Sequence, residues 1–214
     1  GGWLTMFLRK GWAVYNSDAV ERGRSGWAQY PDIFKGEPVF LTTANPFERF
    51  RIGAGAGSYD PDPAKRKLLS GNQFPNDGYE NFVKQNVPRW TTTDDAILAA
   101  YLAEIDKVCP CVILFHSQAG TFGFKAAQAR PDKVKALVAV EPAGVGDIAK
   151  ADVLKNIPTL MIYGDFIEQD SRWPTIRATG VKGNSHMLMM DKNNAEIAAL
   201  IQTWLEGKGL TRKP

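Results

Sequence analysis

An α/β fold, a mostly parallel sheet with helices on both faces, is what this sequence predicts, and three observations predict it. Apolar runs of strand length alternate with segments of helical periodicity, the pattern of a parallel sheet covered on both sides. One such run, Cys111 to Phe115, leads through a sharp turn directly into a helix pattern. The last segment, Asn194 to Glu206, places Ile197, Leu200, Ile201, Trp204 and Leu205 at helical spacing, a stripe able to close one face of a sheet.

The elements follow in order. Trp3 to Lys10 reads as the end of a helix, and Trp12 to Tyr15 as a short apolar strand. Thr93 is placed to cap a helix from Asp94 to about Asp106, in which Ile97, Leu98, Tyr101, Leu102 and Ile105 share a face. Cys111 to Phe115 is a buried strand, Ala119 to Arg130 a helix stopped by Pro131, and Ala136 to Val140 the next strand. Thr159 to Tyr163 is a further strand after Pro158. Residues 34–90 are rich in Gly, Pro and aromatics and lack clear periodicity, which suits a lid or pocket insertion within a single domain, 1–214.

Composition narrows the function. At 214 residues and 44% hydrophobic, the chain can bury an ordinary core. A net charge of +3 is too mild and scattered for a nucleic-acid surface, and Lys65-Arg66-Lys67 reads as a solvated loop patch. No apolar stretch reaches the roughly 20 residues of a membrane span, so no membrane partner is expected. Cys109 and Cys111 flank a proline, where a bridge would close a very tight ring, so free buried thiols are expected. Neither is spaced for zinc, and no metal or organic cofactor is expected. The run Gly53-Ala54-Gly55-Ala56-Gly57 lacks the preceding strand and the Gly-Lys-Ser/Thr of a phosphate loop.

The chemistry begins in Phe115-His116-Ser117-Gln118-Ala119-Gly120. A serine on a tight strand-to-helix turn is held in a strained conformation that lifts its hydroxyl off the sheet, with the Gln118 N–H aimed at an oxyanion. Small residues are wanted two before and two after such a serine; Ala119 fits and Phe115 does not. A helix cap is the plainer role for Ser117.

The chain has two histidines, and His116, adjacent on a strand, should point away from the Ser117 hydroxyl. His186, in Gly183-Asn184-Ser185-His186-Met187, remains as base, against the simpler reading of a hydrated loop histidine. The position three beyond Gly164, where the acid usually follows the corresponding strand, is Ile167, with Asp165 and Glu168 close by. Glu141 ends the apolar strand Leu137 to Val140, one strand-helix-strand unit after Ser117, so a right-handed crossover would bring both to the same sheet edge. A solvated strand end is the alternative for Glu141.

Together, His116-Ser117-Gln118-Ala119-Gly120, Val140-Glu141-Pro142, Tyr163-Gly164-Asp165 and Gly183-Asn184-Ser185-His186-Met187 resemble the bacterial esterases of the α/β-hydrolase superfamily whose triad acid is a glutamate after strand six. Asp18 to Ser25 is similar to the loop after strand four in that superfamily. The resemblance implies Ser117 as nucleophile, Glu141 as acid, His186 as base and Gln118 as oxyanion donor. The implied reaction is hydrolysis of a small-molecule ester through an acyl-enzyme, and the resemblance leaves a periplasmic or secreted location open. The superfamily's upstream oxyanion loop has no counterpart in these residues, and Ser171 to Lys182 is short for the helix and strand that would precede His186. The expectation is therefore an α/β-hydrolase fold without its N-terminal strands. A non-catalytic binding or interaction protein on the same fold is the rival, favoured by Phe115 and by the missing oxyanion segment.

Overall fold

The computed structural model describes residues 1–25, 32–169 and 180–211. They fall into two compact units: one of residues 1–14, 40–87 and 163–203, the other of 15–39, 88–162 and 204–214.

The second unit holds the sheet. Among the described residues there are three strands, β1 (Cys111–His116), β2 (Val134–Val140) and β3 (Thr159–Ile162), in the order β1-β2-β3 and parallel throughout. Two helices precede and interrupt them, here named by their place in the whole chain: α4 (Asp94–Val108) and α5 (Ala119–Ala129). The helices before these are α1 (Trp3–Arg9), α2 (Ala44–Arg49) and α3 (Tyr79–Val83), and α6 (Asn194–Gly207) follows. α5 carries the parallel connection from β1 to β2, and its Phe124 and Ala127 bury with Phe115, Val134, Leu137, Ala139 and Ile157 in one core. β2, with a strand on either side, is buried at six of its seven residues, which explains its unbroken apolar run.

Several expectations change at this level. Thr93 does precede α4, but its hydroxyl makes no cap; it is buried without a partner, while the Thr93 carbonyl accepts the Ile97 N–H at 2.9 Å. Trp12 to Tyr15 forms no strand. Instead the Trp12 indole donates to Gln202 of α6 at 2.9 Å and Tyr15 is 65% exposed, with no strand paired to these four residues among the described residues. Cys109 and Cys111 are not free thiols but a disulfide. The chain bends at Pro110 and brings the two Cα atoms to 4.4 Å, beside the point where the β1–β2 register shifts between Cys111 and Val112. In α6, Ile197, Ile201 and Leu205 are buried as the spacing predicts, but Leu200 faces outward.

The first unit is built on aromatics. Residues 34–90 are less loose than their composition suggests, because Phe47, Ile52, Phe74, Tyr79 and Val83 pack into a core joined by Phe50, Tyr59 and Phe82. Arg66 corrects the reading of a solvated basic patch: its guanidinium lies 4.8 Å from the Tyr59 ring centre and 5.3 Å from that of Tyr79, and pairs with Glu80. Lys65 and Lys67 beside it are exposed.

Candidate active site

Parallel register sets the first two candidate residues. His116 of β1 pairs with Val140 of β2, so Ser117 and Glu141 each lie one residue beyond a paired position, on adjacent strands at the same sheet edge. The Ser117 N–H donates to the Val140 carbonyl at 3.1 Å, and the Glu141 N–H to the Ile162 carbonyl at 2.8 Å. The ladder thus continues one step past the strands, into the turns that carry these side chains.

Both turns bend the same way. Ser117 has φ +53° and Glu141 φ +48°, in the left-handed region that costs a residue with a side chain about 1–3 kcal/mol. Such a conformation persists only when its surroundings impose it. Here the Ser117 carbonyl accepts two N–H groups, from Gly120 at 2.9 Å and from Ala143 at 2.8 Å, binding the first turn of α5 to the loop after Glu141. The close approach depends on glycine: a Cβ on Gly120 would stand 2.7 Å from the Pro142 Cβ, and one on Gly144 would stand 2.3 Å from the Thr121 hydroxyl. Glu141 is 4% exposed, so its carboxylate is not a solvated strand end.

Phe115, too large by the usual rule for such a turn, is accommodated elsewhere. Its ring lies against Gly123, one helical turn into α5, where a Cβ would come within 2.2 Å of it, and it meets Phe124 edge-on at 5.0 Å. The bulk that argued against a catalytic elbow is absorbed by a missing side chain in the facing helix. Gln118 is the N-cap of α5 with helical φ and ψ, and it makes no side-chain cap. Its N–H belongs to the helix N-terminus, where the backbone dipole favours negative charge.

His186 lies in the first unit, on a loop whose N–H groups are individually assigned. Those of Asn184, Ser185, His186 and Met187 donate in turn to Asp165 Oδ1 at 2.8 Å, Asp191 Oδ2 at 2.9 Å, the Phe50 carbonyl at 2.8 Å and the Ser185 hydroxyl at 3.0 Å. The imidazole is half-buried, its centre 4.8 Å from that of Phe50. Gly164 admits the loop closely, since a Cβ there would stand 2.4 Å from the Asn184 carbonyl oxygen.

Ile167, at the position where an acid is usual, is buried at 1% exposure, and Asp165 is engaged with the Asn184 N–H. The side chain of Glu168 and most of Ser171 to Lys182, including Arg177 and Ala178, lie outside the described residues. Two residues that sequence reasoning missed now stand out. Gly123 carried a faint signal, a glycine inside a helical pattern. Asp191, fully buried beneath the His186 loop, carried none.

Comparison with known proteins adds to this geometry. No family model matches the chain. It is similar to a curated protein described as probable secreted lipase phiG, from Fungal sp. (strain ATCC 74256), with 26% identity over 283 residues, 96% of this chain and 75% of that protein. Among solved structures it is similar to a novel bacterial esterase determined at atomic resolution, with a TM-score of 0.78 and 28% identity, covering 97% of this chain and 74% of the other.

Proposed function

We propose, on the premise that this chain is an α/β-hydrolase and a carboxylic ester hydrolase, that it works through an acyl-enzyme formed on Ser117. The observation that carries the reading is the left-handed backbone of Ser117 at the end of β1, φ +53°. A helix-capping serine has no need of that strain; a nucleophile that must project from the sheet does.

The steps follow from the chemistry of the three side chains. His186 takes the Ser117 proton as Oγ attacks the ester carbonyl, and the tetrahedral oxyanion is held by the Gln118 N–H at the α5 N-terminus. Glu141 orients the imidazole and stabilises its charged form. Collapse expels the alcohol with the proton from His186, leaving the acyl group on Ser117. A water, deprotonated by His186, then attacks the acyl carbon and releases the acid and the free serine. None of these steps calls for a metal or an organic cofactor.

Residues 34–90 are proposed as the lid or wall that meets the ester, a small molecule. The run Val39-Phe40-Leu41 supports this, since all three side chains are exposed, Phe40 by 67%. A fluorophosphonate probe tests the proposal: the wild type should be labelled and Ser117→Ala should not. A folded wild type that stays unlabelled defeats it.

A further inference from the structure

From the architecture of the His186 loop we infer that Asp191 is a positioning residue for the base, its fully buried carboxylate holding Ser185 directly and Met187 through the Ser185 hydroxyl. The inference rests on the triad reading above.

The carboxylate grips the loop from two sides. Oδ2 accepts the Ser185 N–H at 2.9 Å and the Asn184 amide at 3.0 Å, while Oδ1 accepts the Ser185 hydroxyl at 2.8 Å. That same hydroxyl accepts the Met187 N–H at 3.0 Å, so the grip passes over His186 and reaches the residue beyond it. The other end is fixed by α6: Asn194 donates its backbone N–H and its side-chain amide to the Asp191 carbonyl, at 2.9 and 2.7 Å. Asn184 in turn donates to Asn193 at 2.7 Å.

Economy of structure argues against a purely structural role. Burial pushes the Asp191 carboxyl up, the hydrogen bonds from Asn184 and Ser185 pull it down, and nearby Asp165 pushes it further up. A carboxyl group kept in so unfavourable a place, where an apolar turn would hold the chain, is warranted when a neighbouring group must be held in a fixed pose. A base working on a serine proton is such a group, because a displacement of about 1 Å costs about a hundredfold in rate.

The test uses the full chain and Asp191→Asn, which keeps the shape but turns one acceptor into a donor facing donors. Its kcat on a chromogenic ester should fall about 10- to 100-fold with KM unchanged. The His186 ring signals in NMR, told from those of His116 by His116→Gln, should shift. Ser185→Ala, which removes the hydroxyl joining Asp191 Oδ1 to the Met187 N–H but leaves the Ser185 N–H bond to Oδ2, should move both readouts the same way by less, and it carries the test if Asp191→Asn does not fold. Asp106→Asn, on an exposed carboxylate of α4, serves as the control and should change neither. A folded variant that keeps the wild-type kcat, or loses kcat with the His186 signals unmoved, overturns the inference. A wild type that the fluorophosphonate leaves unlabelled overturns the triad reading instead, so the two failures are distinct.

Discussion

Glu141 and Asp165 are the carboxylates that compete for the role of triad acid, and their surroundings differ. Glu141 is buried, strained at φ +48° and level with Ser117 across the strand pair. Asp165 accepts the Asn184 N–H with one oxygen at 2.8 Å, a bond to the His186 loop. Glu141→Ala should therefore depress ester hydrolysis about 10²- to 10⁴-fold, and Asp165→Ala by no more than about tenfold. Steady-state kinetics on the two variants decides, and the reverse order would move the acid to the end of β3. At this scale the sequence was legible where chemistry restricts choice. Two histidines and one serine elbow leave few combinations. Asp191 was illegible because its partners, Asn184 and Ser185, meet it only through a fold of the loop that no local pattern encodes.

Elements fit one another through glycines as much as through apolar stripes. Phe115 fills the space that Gly123 leaves, which lets β1 carry a bulky residue two before the serine and still pass closely under α5. Gly123→Ala should destabilise the protein by about 1–3 kcal/mol, since the added Cβ has no room and the Phe115 ring must move. Urea unfolding measures it, and pairing the change with Phe115→Leu should recover part of the loss. An unchanged midpoint for the single variant would mean that the helix and strand are less closely set. Helix and strand positions were largely readable because their apolar periodicity reports burial directly; α4, α5 and α6 all begin at the expected residue. The strand expected over Trp12 to Tyr15 failed because a strand needs a partner as well as a pattern.

Across the molecule, the exposed charges are arranged in small networks. Asp106 accepts two bonds from Arg130, at 2.8 and 2.9 Å, and one from Lys133 at 2.6 Å, joining the end of α4 to the turn between α5 and β2. The two cations hold its carboxyl well below the usual carboxylate range. A depressed folded-state pKa stabilises the fold above the unfolded value, about 3.9, and the contribution fades as pH falls through the lower folded value. The melting temperature of Asp106→Asn should thus lie below that of the wild type near neutral pH, and the gap should close in acid. A gap that widens in acid would contradict this pairing.

The sequence by itself determined the alternation of strand and helix, the elbow at Ser117 and the small set of groups able to serve it, because periodicity, turn chemistry and residue type are local properties. Only the tertiary structure decided that Cys109 and Cys111 are joined, that Gly123 makes room for Phe115, that Arg66 is stacked on tyrosines and that Asp191 holds the His186 loop. Each of these depends on which surfaces meet, and a contact between surfaces is fixed by packing in three dimensions rather than by spacing along the chain.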